Sequence, residues 1–453
     1  MQELIPQDLA AILARTPELA SAYLVGGCVR DWLLGRTVVD FDVEVFDLGL
    51  EQLAGALSRW GRTELVGRAF RVVKLTTASG RSFDFGAAAG EGGARLSLQQ
   101  AAARRDFTIN AMSWDPRGMR VLDFFGGAAD LRNGILRHTS AAYADDPLRV
   151  LRGLQFAGRY ALRTAPETAA LSRRLASAYY DLAAERVWGE WLKWATSSIT
   201  PSRGLQHLAQ CGWLVHLPEL EALQGTPQDP EWHPEGDVFT HTCHCLDALV
   251  ALSPWQTADV HSRTVLSFAI LAHDFAKPHT THVAYRDGRA RIVSPGHEEA
   301  GGPLASRFLL RLGAPEAIAA RVVPLVTNHL AHLRTLTPRA VRRLAKRLEP
   351  ATIDELIAVI TADAFGRPPQ PKTLPEGLRT LTQLATQVAV ATGPPRPILM
   401  GRHLLALGMR PGKSLGEILR AAYEAQLECA FGDLPQALCW LRQHYHLGGD
   451  DNE

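Results

Sequence analysis

Cysteine is scarce in this sequence, and no two cysteines form a CxxC pair. The chain has six cysteines among its 453 residues. So few thiols in so long a chain exclude a disulfide-rich secreted scaffold. We therefore expect reduced thiols and a cytoplasmic protein. Cys243 and Cys245 lie two residues apart and point apart on a helix, so we expect them to pack rather than to bind a metal.

The sequence also lacks an excess of charge of either sign and any long apolar run. Lysine and arginine total 48, aspartate and glutamate total 47, and the net charge is +1. This balance excludes a generally polycationic nucleic-acid coat, so contacts with nucleic acid must come from local basic patches. Without a run of about 18 apolar residues, we expect no membrane span. No basic segment followed by an apolar one opens the sequence, so we expect no signal peptide.

Apolar residues make up 46% of the chain, which is enough for large cores. Strand-like and helix-like patterns alternate up to about residue 138, and from Pro147 onward the apolar spacing is helical almost everywhere. We therefore expect an α+β multi-domain protein. Segments rich in Gly and Pro at 224–230 and 366–371 predict two of its boundaries. The expected domains are 1–138, 139–225, 226–370 and 371–453, in a monomer or homodimer.

Three carboxylates alternate along one predicted strand. Asp40, Asp42 and Glu44 share one face of that strand. They repel each other unless a cation lies among them, and Mg²⁺ prefers oxygen ligands together with substrate phosphates. A solvated acidic edge strand would explain the same pattern. Gly26 and Gly27 stand between a predicted strand and a predicted helix, where backbone amides can approach a triphosphate.

These residues belong to an ordered series of longer motifs. The motifs are LVGGCVRDWLLGR at 24–36, DFDVEV at 40–45, RRDFTINAM at 104–112, DFFGG at 123–127, DDPLRVLR at 145–152 and AERVWGE at 184–190. The series resembles class II tRNA nucleotidyltransferases and bacterial poly(A) polymerases. The resemblance implies an N-terminal nucleotidyltransferase α/β palm, followed by a helical neck that recognises the nucleotide base.

The resemblance also implies roles for individual residues. Asp40 and Asp42 would hold Mg²⁺, and either Asp84 or Glu44 would be the third catalytic carboxylate. The residues expected to bind the nucleotide are Gly26, Gly27, Arg30, Arg105, Asp106, Asn110, Asp146, Arg149 and Arg152. In the implied reaction the 3′ hydroxyl of tRNA attacks the α-phosphate of CTP or ATP, and pyrophosphate leaves.

The chemistry of one pair of these residues predicts base selection. Asp146 and Arg149 are three residues apart, so they share a face of a predicted helix. A carboxylate acceptor beside a guanidinium donor matches the amine and ring nitrogen of cytosine and of adenine, and mismatches uracil and guanine. The same spacing also suits a surface salt bridge, worth roughly a few tenths of a kcal/mol.

Departures from the family pattern bear on the product. The arginine that the family usually has shortly after the carboxylate at Asp84 is missing, and the loop from Gly86 to Ala103 is short, with only Glu91 and Arg95 charged. The resemblance associates a shortened loop with enzymes that add CC alone. We therefore expect efficient CC addition and a slow or missing terminal A. A poly(A) polymerase that uses only ATP is the alternative.

A second series of residues predicts a metal centre. Its members are His241, His273, Asp274, His297, His329 and Asp363. Imidazole and carboxylate donors suit Ni, Mn, Co, Fe or Zn better than Mg, although any one of these histidines alone could simply be packed. The series resembles the HD phosphohydrolase superfamily. That resemblance implies metal binding by His241, His273, Asp274 and Asp363, and a second metal or substrate at Lys277, His297 and His329. His244 is expected to pack.

The last third of the chain carries basic segments. Residues 338–348 predict a basic amphipathic helix that can follow an RNA backbone or face solvent, and the segments 401–404 and 408–414 open predicted helices. By resemblance, these segments hold the acceptor and TΨC arms of tRNA by shape. The leading hypothesis is a template-independent tRNA nucleotidyltransferase. A phosphohydrolase acting through the HD-type domain is a distinct alternative.

Overall fold

The computed structural model describes residues 5–66, 72–88 and 95–445. The chain folds into two compact units, Met1–His216 and Leu217–Glu453. The expected α/β N-terminal part and mostly helical remainder are confirmed. The division into four domains stays a prediction.

A mixed sheet forms the centre of the first unit. The strands of this unit are β1 Ala22–Val25, β2 Asp42–Val45, β3 Gly61–Val66, β4 Val72–Thr77, β5 Ser82–Ala87, β6 Ser113–Asp115, β7 Arg120–Leu122, β8 Ile135–Leu136 and β9 Arg163–Thr164. Within the described residues the sheet has seven strands, in the order β3-β4-β5-β2-β1-β6-β7. Strands β2 and β5 run parallel, which brings Asp42 beside Asp84. Val43 and Val45 of β2 are buried, so Asp42 and Glu44, which alternate with them, lie on the opposite face.

The helices of the first unit surround this sheet and extend beyond it. They are α1 Gln7–Arg15, α2 Gly27–Leu33, α3 Leu50–Leu57, α4 Leu98–Ala103, α5 Gly127–Arg132, α6 Leu148–Tyr160, α7 Pro166–Arg174, α8 Ala184–Ser197 and α9 Pro201–Gln210. Between β1 and α2, Gly26 has a φ of 73°, a conformation that glycine adopts without strain. The chain therefore turns sharply from the sheet into the helix at this point.

The helix α6 packs against both α8 and α9. A Cβ atom at Gly153 of α6 would collide with the ring of His207 on α9, so glycine allows the close approach. The His207 Nε2–H donates to the Val150 carbonyl over 3.0 Å, which ties the two helices together.

The second unit is almost entirely helical. Its helices are α10 Pro218–Glu221, α11 Val238–Val250, α12 Ser253–Gln256, α13 Val260–Ala272, α14 Lys277–Thr280, α15 His297–Arg311, α16 Glu316–Asn328, α17 Pro338–Leu348, α18 Ile353–Phe365, α19 Glu376–Gln387, α20 Gly401–Ala406, α21 Lys413–Leu427 and α22 Leu434–His444. Helix α11 packs against α13 and α18, and α13 also packs against α16. Across the described parts of both units, no helix is long and apolar enough to cross a membrane.

A hairpin interrupts the helical unit, as a local exception to the confirmed expectation of helix almost everywhere after residue 147. Its strands are β10 His282–Arg286 and β11 Arg289–Val293, paired antiparallel. The two connecting residues, Asp287 and Gly288, have φ values of 51° and 74°. An Asp-Gly pair with both φ values positive is a favoured two-residue hairpin turn. This dipeptide is the local feature from which the hairpin can be predicted.

Candidate active sites

The carboxylates of the first unit gather where β2 and β5 lie side by side. Asp42 and Asp84 are paired in register on the two strands, and Asp40 lies two residues before β2, outside the strand on which the alternating pattern placed it. All three side chains are accessible to solvent. Partial desolvation raises the pKa of Asp42, Arg105 opposes this, and the neighbouring carboxylates Asp84 and Asp40 raise it further. The arrangement therefore offers several carboxylate oxygens at one open surface.

The two candidates for the third carboxylate differ in their surroundings. Glu44 accepts an ion-paired hydrogen bond from Arg105 Nη2 at 3.1 Å. Asp84 instead stands beside Asp42 on the neighbouring strand. Because Glu44 is held by an arginine of its own, the geometry favours Asp84.

The Gly26 turn lies directly next to these carboxylates. A Cβ atom at Gly26 would stand 2.9 Å from Arg105 Nη1 and 3.9 Å from Asp42 Oδ2. Glycine therefore keeps open the space in which the start of α2, at Gly27, meets Arg105. Backbone amides and a guanidinium around such a space are suited to phosphate groups.

Arg30 is buried and surrounded by protein partners. Its guanidinium donates to both oxygens of Asp31, at 3.0 Å each, and to Asn110 Oδ1. Its Cζ also lies 4.4 Å from the centre of the Tyr160 ring. These contacts show Arg30 holding α2 against α6. Direct phosphate binding by Arg30 stays a prediction.

Asp106 connects the RRDFTINAM segment to α6. Asn110 Nδ2 donates to Asp106 Oδ1 at 3.0 Å, and Arg152 Nε donates to Asp106 Oδ2 at 2.7 Å. Burial tends to raise the pKa of Asp106, but Arg152 and Asn110 outweigh it and lower the pKa. The three predicted nucleotide-binding residues thus form one ionised, hydrogen-bonded group.

The expectation that Asp146 and Arg149 share a helix face is wrong. Asp146 is extended, with a φ of −135°, and α6 begins two residues later at Leu148. Arg149 donates to the carbonyls of Ala142 and Arg104 at 2.5 and 2.7 Å. Helix boundaries are the least certain feature of a sequence pattern. Here Asp146 lies just outside the helix, so the i,i+3 spacing does not place it on the same helix face as Arg149.

The partner of Asp146 is Arg186, which the sequence analysis did not single out. Arg186 Nη2 donates to Asp146 Oδ2 at 2.7 Å from α8, whereas the i,i+3 salt bridge with Arg149 is not among the ion pairs of the described chain. Arg186 lies within the AERVWGE motif, so its position there was the available indication. Asp146 is therefore oriented by an arginine of helix α8.

In the second unit, side chains from five helices or helix ends converge in the interior. His241 lies on α11, the His273–Asp274 pair follows α13, His297 opens α15, His329 follows α16 and Asp363 lies on α18. All of these residues are buried. The structure thus brings together the whole predicted series.

Two groups of potential metal-binding atoms share this interior. The first consists of donor atoms of His241, Cys245, His273 and Asp363, and the second of donor atoms of Asp274, His297 and His329. Within each group the donor atoms all lie within 4.8 Å of one another. Asp274 stands between the groups, because its Oδ2 is 3.2 Å from His273 Nε2 and its Oδ1 is 3.3 Å from His297 Nε2.

Neighbouring polar residues orient this cluster. Glu235 Oε1 lies 2.7 Å from His241 Nδ1, and Arg367 Nη2 donates to Asp363 Oδ1 at 2.9 Å. Lys277 Nζ lies 2.8 Å from Asp274 Oδ2. Glu235 and Arg367 were not among the predicted site residues, although they lie six residues before His241 and four residues after Asp363.

Comparisons with known proteins agree with the motifs. Residues 22–137 match the family model of the poly A polymerase head domain. A multifunctional CCA protein of Halorhodospira halophila is 38% identical over 76% of this chain and 79% of the relative. Another, of Nitrosococcus oceani, is 34% identical over 88% of this chain and 95% of the relative. The chain belongs to the multifunctional CCA protein family. The resemblance to class II tRNA nucleotidyltransferases is thereby confirmed, whereas the HD-type domain stays a prediction.

Solved structures share the fold of this multifunctional CCA family member. The CCA-adding enzyme of Bacillus stearothermophilus in complex with CTP gives a TM-score of 0.65 at 20% identity and covers 96% of each chain. The Thermotoga maritima CCA-adding enzyme complexed with tRNA gives a TM-score of 0.61 at 21% identity and also covers 96% of each chain. At these identities the likeness supports the fold alone.

The donor sets of this CCA-family chain fit two different kinds of metal ion. The Asp40, Asp42 and Asp84 side chains offer only oxygen, which suits Mg²⁺. The cluster of the second unit mixes nitrogen, oxygen and sulfur, which suits a transition metal. Its His273 Nε2 is buried and makes no hydrogen bond among the described residues, which leaves this nitrogen available to bind a cation.

The basic tail helix forms as expected, but part of its charge is already paired. Helix α17 carries Arg339 and Arg343, and both form ion pairs with Glu428. The predicted helices near 401 and 414 are present as α20 and α21. The loop from Gly86 to Ala103 includes residues 89–94, which lie outside the described residues, so the loop hypothesis stays a prediction.

Proposed function

We propose that this chain extends the 3′ end of tRNA with CMP and then AMP, taken from CTP and ATP, without a nucleic-acid template. The observation that carries the proposal is the pairing of Asp42 with Asp84 beside the Gly26 turn and Arg105. The curated relatives named as CCA proteins and the similar structures solved with CTP and tRNA support it.

In the proposed reaction, the protein aligns the attacking 3′ oxygen of tRNA, the α-phosphorus of the nucleotide and the oxygen of the leaving pyrophosphate. Asp40, Asp42 and Asp84 hold Mg²⁺, which supplies charge neutralisation at the triphosphate. The amides at the start of α2 and Arg105 hold the phosphates. The 3′ hydroxyl of tRNA attacks the α-phosphorus in line, and pyrophosphate leaves.

Base selection in this proposal rests on Asp146 and Arg149. The carboxylate accepts from the exocyclic amine of cytosine or adenine, and the guanidinium donates to the adjacent ring nitrogen. Arg186 holds Asp146 from α8, and the Ala142 carbonyl holds Arg149. Two rigid supports on different elements keep the acceptor and the donor at a fixed separation, which a readout without a template requires.

Incubation of the full chain with tRNA that ends at the discriminator base tests the proposal. CTP alone should give products two nucleotides longer, CTP with ATP should give a third, and ATP alone should give little product on a sequencing gel. Long tails from ATP alone would indicate a poly(A) polymerase instead. Products that stop at two additions with both nucleotides present would support the CC-only alternative.

The cluster of the second unit favours a second function, a metal-dependent phosphohydrolase. Asp274, Lys277 and His297 line a cavity of about 550 Å³ together with the half-exposed Trp232. His241, His273, Asp274 and Asp363 would hold a Ni, Mn, Co or Fe ion, which would supply Lewis-acid catalysis of hydrolysis. His297 and His329 serve a second metal or the substrate, and Lys277 holds a phosphate oxygen.

Hydrolysis of p-nitrophenyl phosphate and of bis(p-nitrophenyl) phosphate by the full chain tests this second function. We expect release of nitrophenol with Ni²⁺, Mn²⁺ or Co²⁺ and little with Mg²⁺ alone. Equal turnover with Mg²⁺, or none with any cation, would contradict it.

We also propose that α17, α20 and α21 contact the acceptor and TΨC arms of tRNA, in a cytoplasmic protein. Donors to phosphate would come from the starts of the two later helices and from the basic side chains of α17, which would exchange their present side-chain partners for phosphate oxygens. All six cysteines are free thiols, which a reducing compartment would maintain. A gel-shift assay should show weaker tRNA binding as salt rises.

A further inference from the structure

Cys245 occupies an unexpected position in the cluster of the second unit. It lies on α11 one helical turn after His241, so both side chains point to the same side of the helix. Cys245 Sγ is 3.3 Å from His241 Nε2 and 3.8 Å from the Asp363 carbonyl oxygen. Cys245 is buried, as a packed residue would be, and its sulfur in addition lies among the donor atoms of this cluster. The four-residue spacing between His241 and Cys245, rather than the two-residue spacing between Cys243 and Cys245, indicates that the sulfur lies in the cluster.

The distances fit two donors on one ion. With a metal–nitrogen bond of about 2.1 Å and a metal–sulfur bond of about 2.3 Å, neighbouring donors stand roughly 3.1–3.6 Å apart, depending on the bond angle. The sulfur of Cys245 and the nitrogen of His241 are 3.3 Å apart. His241 Nε2 and Asp363 Oδ1, at 3.1 Å, fall within the similar range that two shorter bonds allow.

A separate observation points to an ion at the same place. His273 Nε2 is buried, belongs to the same group of donors as Cys245, and makes no hydrogen bond in the described chain, although Asp274 Oδ2 lies 3.2 Å away. A cation between these donor atoms would satisfy the nitrogen. On the other side, Glu235 holds His241 Nδ1, which leaves Nε2 facing the cluster.

We propose that the Cys245 thiolate is a ligand of the metal ion held by His241, His273 and Asp363. The inference rests on the proposed metal site of the second unit and adds to it a sulfur ligand. When the ion binds, the Cys245 S–H proton leaves to solvent and a metal–sulfur bond forms. Thiolate favours Zn²⁺, Co²⁺, Ni²⁺ or Fe²⁺ over Mg²⁺, so Cys245 biases the site towards a transition metal.

Cobalt titration of the metal-free full chain tests the ligand directly. A thiolate on Co²⁺ gives a near-ultraviolet charge-transfer band, which nitrogen and oxygen ligands do not give. We expect one such band per chain in the wild type, its loss in Cys245→Ser, and its retention in Cys243→Ser. Cys243 is the matched control, because it is also buried on α11 but lies outside the group of donors. Competition with a chelator should show Zn²⁺ affinity reduced about tenfold or more in Cys245→Ser.

The possible outcomes separate this inference from the proposed function. Cobalt bound to the wild type without a charge-transfer band would overturn the sulfur ligand and leave the metal site standing. No cobalt bound at all would overturn both. The wild-type spectrum needs no variant, so a Cys245→Ser protein that fails to fold cannot obscure the result. Cys245→Ala provides a second variant, and it should also lack the band.

Discussion

The two candidate sites of this chain are built from different donor atoms in different surroundings. Asp40, Asp42 and Asp84 present oxygen alone at an open surface, on or just before the adjacent inner strands β2 and β5. The cluster around His241 and Asp274 presents nitrogen, oxygen and sulfur in a buried interior. Hard oxygen donors at an open surface suit Mg²⁺ that arrives with a nucleotide, whereas mixed donors in an enclosed interior suit a retained transition metal. Donor type and burial together therefore separate the two chemistries.

The largest expected effect is the loss of nucleotide addition when Asp42 changes. Asp42→Ala, and likewise Asp40→Ala, should lower the incorporation rate by about a hundredfold or more, because an oxygen ligand of the catalytic cation is lost. Binding of tRNA and hydrolysis in the second unit should persist. Single-turnover assays with labelled CTP measure the rate.

Glu51→Gln on α3 is the matched control for Asp42→Ala, because Glu51 is an exposed carboxylate away from β2. It should leave incorporation unchanged. A variant of Asp40 or Asp42 that keeps more than about a hundredth of the wild-type rate would contradict its role as a metal ligand.

Loss of the proposed metal ligands His273 and Asp274 should affect only the second unit. His273→Ala combined with Asp274→Ala should remove the transition metal and reduce phosphohydrolase activity by about a hundredfold, while nucleotide addition stays nearly intact. Elemental analysis together with both activity assays measures this. His244→Ala is the control, since His244 is on α11 outside the groups of donors. Unchanged metal content in the double variant would disprove the assignment.

Metal removal should separate the two sites without any mutation. A nitrogen-donor chelator that prefers transition metals should abolish hydrolysis, and nucleotide addition should continue in excess Mg²⁺. Added Co²⁺ or Ni²⁺ should then restore hydrolysis. Parallel loss of both activities would show that the two sites do not differ in the way that their donor atoms indicate.

A smaller effect, on nucleotide selection, is expected from changes in Asp146 and Arg149 and in Arg186, which holds Asp146. Asp146→Ala or Arg149→Ala should admit UTP and GTP, and Arg186→Ala should do so about tenfold less strongly, because it leaves both reading groups in place. Misincorporation is measured with each nucleotide separately. Arg132→Ala, an exposed arginine on α5, is the control. Variants of Asp146 and Arg149 that lose rate but keep strict selection would show a purely structural pair.

The sequence allowed most of the first site to be predicted, because its residues lie in continuous motifs. The alternation of Asp40, Asp42 and Glu44 placed them on one strand face, but only the parallel pairing of β2 with β5 favours Asp84 over Glu44. The extended conformation of Asp146 escaped the helical pattern, since α6 begins two residues later.

The second site was predicted less completely, for a physical reason. His241 and Asp363 meet across 122 residues, so that only the packing of α11 against α18 decides their contact. The position of Cys245 beside His241 follows from their i,i+4 spacing, which a search for paired cysteines does not detect. The β10–β11 hairpin depends on the Asp287–Gly288 turn, a two-residue feature within a mainly helical region.

The comparison also explains why burial alone does not identify a metal-binding histidine. His207, in the first unit, is fully buried like His273, but both of its ring nitrogens have partners. Its Nε2–H donates to the Val150 carbonyl at 3.0 Å, so its Nδ1 accepts from the Thr164 hydroxyl at 2.8 Å. His207 is therefore a structural histidine that is neutral in the folded protein.

The neutral state of His207 should make the stability of the protein depend on pH. Burial lowers the pKa of His207 to about 4 from an ordinary value of 6.5. The unfolded chain therefore binds a proton as pH falls below about 6.5 while the folded chain does not, so the contribution of His207 to stability is complete above that pH and declines towards pH 4. The loss at pH 5 should be about 2 kcal/mol. His207→Gln keeps a donor and an acceptor but cannot titrate, so denaturant unfolding of the variant should show a correspondingly weaker dependence between pH 7 and pH 5. An identical dependence in both proteins would mean that His207 does not stay neutral in the fold, and the contrast with His273 would then lose its basis.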